Sequence, residues 1–356
     1  MAIAGDPNLH RFPQPNPVDA VRWIPAFSSL RRFAAAAVHD PDSSSSAVEV
    51  HALNPGPNLV LRSSHPIPSR ISALRFSLSP QKPLLATAAT SAGSLHLLSI
   101  DPFEGSIDSE LSVSDIAFSA ATVADVDGQM EGREWVSVGE DGRVNLVAVG
   151  DGRLEWRRVF DSMGLVEYSA VKWGSPAEFA TGGLGFGVQW WDQRKPGGAV
   201  AQFKGNWACG NTIGMVHSID IHPSRKHICV VGASSGTVFA WDLRWQHQPI
   251  LLSGVGMGDT VQPTSESEVW EVRYDTHIQS SSIATGPTRI LPVMMCSEDG
   301  ILAVLEQGEE PVELLAEACA INGFDIDPQN PSDVICTLEW EMIGILPRSR
   351  ETSTAF

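Results

Sequence analysis

Apolar residues in this chain fall in short alternating runs separated by turn-forming residues, with almost no sustained helical periodicity. Residues 216–244 show the unit most plainly. Val216-His217-Ser218-Ile219-Asp220-Ile221 stops at His222-Pro223, and Ile228-Cys229-Val230-Val231 stops at Gly232-Ala233-Ser234-Ser235-Gly236. Val238, Ala240 and Asp242 then alternate with Phe239, Trp241 and Leu243, the period of a strand. Proline cannot donate to a sheet ladder, so Pro223 closes the first run, and Gly236 is free to take the positive φ of a tight hairpin. A fourth strand is expected over 249–252.

The unit recurs, with starts expected near 20, 71, 114, 169, 216, 269 and 322. The residues closing the apolar core of each first strand are Trp23, Phe76, Phe118, Trp173, Ile221, Tyr274 and Ile326, at intervals of 53, 42, 55, 48, 53 and 52. In the first unit, 32–38, 47–53 and 58–62 are the expected further strands, with the serine run Ser43–Ser46 as a flexible loop tip. In the third, 114–119 reads as the first strand and the acidic stretch Ala124–Glu134 as a loop. Asp141-Gly142 and Asp299-Gly300 occupy the same hairpin position in their units and suit a type I′ turn. A period near 50 residues marks a repeat architecture, in which each unit buries its apolar face only against its neighbours.

The last unit offers three runs, 322–327, 334–340 and 342–346, and residues 348–356 are polar with no apolar face. Leu9-His10-Arg11-Phe12 is a spare run ahead of the first unit. An open ring would leave unpaired strand edges, so this N-terminal run is expected to complete the last unit. The sequence thus predicts an all-β chain with one domain over 1–347 and a polar C-terminal tail over 348–356.

Two units end in Trp-Asp, at Trp190-Trp191-Asp192 and Trp241-Asp242. With the repeat period, they make the chain resemble the WD40 β-propeller family over nearly its whole length, which implies seven four-stranded blades in a ring. The chain contains no Gly-His dipeptide, and only two blades keep Trp-Asp. Blade stability must therefore rest more on packing than on the hydrogen-bond network those residues form in that family.

Composition narrows the function. A net charge of −18 repels phosphate backbones, so direct nucleic-acid binding is not expected; the charge reads first as a source of solubility and second as attraction to a basic protein surface. The five cysteines, Cys209, Cys229, Cys296, Cys319 and Cys336, are odd in number and show no C-x-x-C spacing, as expected of free thiols. No apolar run approaches the length of a membrane span, so no membrane insertion is expected. The start, Met1-Ala2-Ile3-Ala4-Gly5-Asp6, lacks the basic and apolar regions of a signal peptide.

The apparent catalytic motifs all sit in strand–turn–strand contexts. Gly232-Ala233-Ser234-Ser235-Gly236 matches a nucleophile elbow, but that elbow must lead into a helix. Gly183-Leu184-Gly185-Phe186-Gly187 leads into Val188-Gln189-Trp190-Trp191, a strand, whereas a phosphate loop opens a helix. Asp125-Val126-Asp127-Gly128 lacks the calcium-loop spacing and reads as exposed acidic loop. His222 reads as a polar strand end. No catalytic, cofactor or metal-binding residues are expected.

The segments Val138-Gly139-Glu140-Asp141-Gly142-Arg143-Val144-Asn145-Leu146, Glu268-Val269-Trp270-Glu271-Val272 and Cys296-Ser297-Glu298-Asp299-Gly300, with 217–223 leading to Trp241-Asp242-Leu243-Arg244 and the opening strand at 20–25, together resemble WD-repeat nucleoporins of the Y-shaped outer-ring complex. That resemblance implies a non-catalytic scaffold at the nuclear envelope, docked on an α-solenoid nucleoporin of the short arm and supporting transport of mRNA and protein. A second reading comes from Trp191, Asp192 and Arg194 and from Trp241, Asp242 and Arg244. Both triplets fit W-D-x-R and resemble the motif by which substrate receptors dock to cullin-4 ubiquitin ligases.

Overall fold

The computed structural model describes residues 8–348 except 26–30, 55, 57, 78–83, 130–133, 186, 205–213, 245–249, 253–264, 266, 276, 278–289 and 340. The expectations placed on residues 1–6, Cys209, residues 249 and 340 and residues 349–356 lie outside the described residues. Among the described residues there is no helix, and the strands form seven four-stranded antiparallel sheets.

The chain opens with β1 (His10–Pro13). Blade 1 holds β2 (Val18–Ile24), β3 (Arg32–Asp40), β4 (Ser45–Asn54) and β5 (Asn58–Ile67), and blade 2 holds β6 (Ile71–Ser77), β7 (Leu84–Thr90), β8 (Leu95–Ile100) and β9 (Ile107–Val113). Blade 3 follows with β10 (Val123–Gly128), β11 (Glu134–Gly139), β12 (Arg143–Val149) and β13 (Leu154–Asp161). Blade 4 has β14 (Tyr168–Ser175), β15 (Glu178–Gly183), β16 (Gly187–Asp192) and β17 (Ala201–Lys204). Blade 5 has β18 (Val216–Ile221), β19 (Ile228–Ala233), β20 (Val238–Asp242) and β21 (Ile250–Leu251). Blade 6 has β22 (Val269–Tyr274), β23 (Val293–Ser297), β24 (Ile301–Leu305) and β25 (Val312–Ala316). Blade 7 has β26 (Ile321–Ile326), β27 (Asp333–Leu338) and β28 (Met342–Pro347), and its outer strand is β1.

The ring closes as the edge argument requires. His10 pairs with Ile345 and Phe12 with Ile343, so the chain's two ends share one sheet. Leu9, 6% exposed, is buried in the apolar layer between blades 6 and 7. Arg32 of blade 1 adds ion pairs to Asp327 and Asp333 of blade 7.

The core consists of seven apolar clusters, one between each pair of neighbouring blades. Alternate side chains of each sheet face opposite neighbours, so a blade has no core of its own. Trp191 lies between blades 3 and 4, stacked on Phe179 at 5.8 Å, with its Nε1 donating to Thr181 Oγ1 at 2.9 Å. Trp241 lies between blades 4 and 5 beside Phe203 and Phe239.

The inner strands share a bulge after their first residue, which pairs Val18, Ile71, Val123, Tyr168, Val216, Val269 and Ile321 to the second strand and skips the next residue. These seven equivalent positions are spaced by 53, 52, 45, 48, 53 and 52 residues. The third start must therefore be corrected. Residues 114–119 form a turn, and the inner strand is Val123–Gly128, all but the first residue of which lie in the stretch expected to be a loop. Its acidic composition misled because Asp125 and Asp127, 5% and 7% exposed, are buried and paired across blades.

Three smaller corrections follow from hydrogen bonding. Only Ser43 and Ser44 of the serine run lie in the turn, where Asp40 Oδ2 accepts from Ser43 Oγ at 2.7 Å, while Ser45 and Ser46 begin β4. The hairpins at Gly142 and Gly300 are not type I′. Gly142 N donates to Gly139 O at 3.0 Å, and positive φ falls on the glycine (76° and 83°) rather than on the two residues before it, the pattern of a type I turn with a glycine bulge. At Gly142 a Cβ would lie 1.8 Å from Ser162 Oγ, so glycine is required there twice over. Finally, Arg348 is not tail. Its side chain is 6% exposed and pairs at 2.5 Å with Asp275, which is fully buried.

Candidate interaction surfaces and the central channel

The bulge sets which residues of the inner strands face the axis. Counting from the paired first residue, the fourth position (Val21, Leu74, Val126, Val171, Ile219, Val272, Phe324) is apolar in every blade. The fifth is charged in every blade: Arg22, Arg75, Asp127, Lys172, Asp220, Arg273 and Asp325. Asp125 and Glu271 add two carboxylates at the third position. The channel wall is thus a nearly balanced ring of four cations and five anions.

An inner strand is an edge strand, and its outward N–H and C=O groups need partners. The ring supplies them from the preceding blade. Asp127 Oδ2 accepts from Trp173 N at 2.9 Å, Asp220 Oδ2 from Tyr274 N at 2.9 Å and Asp325 Oδ2 from Trp23 N at 2.8 Å. Two positions earlier, Asp125 Oδ2 accepts from Val171 N at 3.0 Å and Glu271 Oε2 from Phe324 N at 3.2 Å. The cations close the circuit. Arg22 pairs with Glu271 at 2.9 Å and donates to Leu74 O and Phe324 O, and Arg75 pairs with Asp125 at 3.0 Å. Arg273 bridges Glu271 and Asp325, and Lys172 lies 3.5 Å from Asp127 and 3.9 Å from Asp220.

The electrostatics follow. Burial works to raise the Glu271 carboxyl, but Arg22, Arg273 and Arg75 hold it down at about 2. Burial lowers Arg22 to about 10, and burial raises Asp125 and Asp325 despite their arginine partners. The channel widens to a cavity of about 310 Å³ bordered by Arg22, Arg75, Asp125, His217, Trp270 and Glu271. The repeated charge at one register position was the available sequence signal; it was missed because the third inner strand had been placed too early.

Antiparallel order gives the ring two faces. Inner strands enter at one face, which also carries the hairpins between second and third strands and the links between blades; they leave at the other. The W-D-x-R residues lie toward the exit face. Trp191 and Trp241 are 2% and 1% exposed and belong to the inter-blade core. Asp192 accepts from Arg194 N, Nε and Nη2, and Asp242 accepts identically from Arg244. The side chains of Arg194 and Arg244 are 69% and 62% exposed. The structure therefore splits each triplet into a core tryptophan and an exposed, self-paired arginine.

Other candidate chemistry resolves into structure. His222 Nδ1 accepts from Ser224 N and Arg225 N at 3.2 and 3.1 Å, a turn cap that needs the neutral ring, and burial and Arg225 lower its pKa to about 4. Ser94 Oγ lies 2.8 Å from His96 Nε2, and His96 Nδ1 lies 2.6 Å from Glu110 Oε1. This has the connectivity of a catalytic triad, yet Ser94 is 4% exposed and its hydroxyl also meets Thr90 Oγ1 at 2.7 Å. It ties β7, β8 and β9 together. Cys229, Cys296 and Cys336 are buried free thiols, and Cys319 is half-buried. Among the described residues no group of His, Cys, Asp and Glu has metal-binding geometry.

A closed ring of seven four-stranded blades, with Trp-Asp ends and paired charges around its axis, defines a WD40-like β-propeller. Solved structures agree on the fold. A chain from the outer coat vertex of COPII on membranes superposes with a TM-score of 0.73 over 98% of this chain and 87% of that one, at 15% identity. No family model matches the chain. Its sequence is 55% identical over 356 residues to the nuclear pore complex protein NUP43 of Arabidopsis thaliana, covering 96% of this chain and 97% of the relative. It is 28% identical over 169 residues to nucleoporin Nup43 of Mus musculus and of Homo sapiens, covering 48% of this chain and 38% of each relative. The chain belongs to the Nup43 family of nucleoporins.

Proposed function

We propose that this propeller is a structural, non-catalytic component of the nuclear pore complex. It works in the outer-ring Y complex, docks on an α-solenoid nucleoporin of the short arm and supports transport of mRNA and protein. The observation that carries the reading is 55% identity to Arabidopsis NUP43 along nearly the full length of both chains. The structure is compatible with a platform: the nucleophile-elbow match and the glycine loop lie in hairpins between strands rather than before helices, and the channel charges are spent on one another.

A fluorescent fusion of the full chain should mark the nuclear rim, and affinity purification should return outer-ring nucleoporins. Recovery instead of a cullin-4 ligase adaptor, lost in the variant Arg194→Ala/Arg244→Ala, would overturn the scaffold reading. Stability of that variant should fall only slightly, because each arginine is mostly exposed and an alanine keeps the backbone N–H that donates to Asp192 or Asp242.

A further inference from the structure

Three large apolar side chains stand out from the surface: Met163, 89% exposed, Leu165, 87%, and Ile116, 77%; no other exposed large apolar residue among those described exceeds 57%. All three occupy two neighbouring links on the entry face, residues 114–119 between blades 2 and 3 and residues 162–167 between blades 3 and 4. The first link is clamped to Asp161, the last residue of β13, from which the second link starts. Arg143 Nη1 donates to Ile116 O at 2.8 Å and its Nε to Asp161 Oδ2 at 3.3 Å, while Arg158 donates to Phe118 O at 3.2 Å and to Asp161 Oδ2 at 2.8 Å.

The tip is built rather than loose. Leu165 N donates to Ser162 O, Ser162 N to Gly142 O and Met163 N to Asp161 Oδ1, at 3.1, 2.9 and 2.8 Å. Met163 and Gly164 have φ of 55° and 76°, so the tip is a type I′ turn. Such a turn favours Asn, Asp or Gly at its first central position; methionine there is strained, and its flexible apolar side chain stands in water. Burial elsewhere in the protein does not explain it.

We propose that Ile116, Met163 and Leu165 form a docking knob that inserts into an apolar pocket of a protein partner, with the pocket edged by lysine or arginine. The charge around the knob selects this occupant. Asp115 and Glu167, one and two residues from Ile116 and Leu165, are exposed, whereas Arg143 and Arg158 are engaged in the clamp. That rim disfavours an anionic lipid surface, and a net charge of −18 disfavours a second copy of the chain. The knob deepens the scaffold reading and rests on it for the partner's location.

The test uses the full chain as a fluorescent fusion, wild type against Met163→Asn/Leu165→Ser. Asparagine suits the turn, so the variant's unfolding temperature should equal or exceed the wild type's, while its retention at the nuclear rim should fall at least about tenfold. In parallel, a photoreactive phenylalanine analogue in place of Met163 should crosslink to an apolar protein segment flanked by Lys or Arg. Unchanged retention of the variant, or crosslinks to lipid or to a second copy, would overturn the knob. Absence of the wild type from the rim would sink the pore reading, and the crosslink from position 163 would still decide the knob.

Discussion

At the scale of single residues, the two tryptophans of the Trp-Asp pairs serve packing, not display. Trp241 is surrounded by side chains of two blades, and truncation leaves a cavity that neither blade can collapse into alone. Trp241→Ala should cost about 3–5 kcal/mol, with Trp191→Ala comparable, measured by denaturant unfolding. His222 makes a pH prediction. Its folded pKa of about 4 lies below the ordinary value of 6.5, so its contribution is fully present above about pH 6.5 and is lost as pH falls toward 4. Asp125 and Asp325, raised by burial, act in the opposite direction, so the comparison must be between variants. Asparagine can accept the same backbone bonds without titrating. His222→Asn should therefore lose less unfolding temperature between pH 7 and pH 4.5 than the wild type does; equal losses would remove His222 from the account.

At the scale of elements, ring closure depends on both chain ends. Strand β1 donates and accepts along β28, and Leu9 fills the layer between blades 6 and 7. Removing residues 1–15 exposes the edge of β28 and opens that layer, so the unfolding temperature should drop strongly. The C-terminal end is not expendable either. Arg348→Ala would leave Asp275 buried without its charge partner, at a cost of about 3–5 kcal/mol. Truncation after Arg348 should be mild by comparison, since it keeps that pair. Thermal melts of the three forms, Arg348→Ala, the N-terminal deletion and truncation after Arg348, should show the first two far below the third.

At the scale of the whole molecule, the seven blades meet in one charge circuit around the axis. Glu271 is its most connected member, contacting Arg22 and Arg273, lying 4.0 Å from Arg75 and accepting from the backbone of blade 7. Glu271→Gln keeps the shape and removes the charge that three guanidiniums face. It should destabilise the entire ring by roughly 3–5 kcal/mol in a single cooperative transition, rather than melting blade 6 alone. A separate low-temperature transition in calorimetry would show that the circuit does not couple the blades.

The chain by itself determined the strand-rich character, the seven-fold repeat, the proline and glycine stops, and the spare N-terminal strand. These are local properties: alternation of apolar side chains follows from the two-residue pleat, and an unmatched run at one end with a missing strand at the other is visible by counting. Only the tertiary structure decided that Asp125 and Asp127 belong to an inner strand. Whether a carboxylate is tolerated inside depends on Arg75 and Lys172, some 45 to 50 residues away along the chain, and on the N–H groups of the next blade. The same holds for Arg348, whose polar neighbours read as tail until Asp275 is placed beside it, 73 residues earlier. It holds for the knob as well. Ile116, Met163 and Leu165 have the composition of core residues, and exposure is a property of the folded surface that periodicity in short links cannot report. Pattern sets where strands form; burial of a charge or display of an apolar side chain is set by partners that only folding brings together.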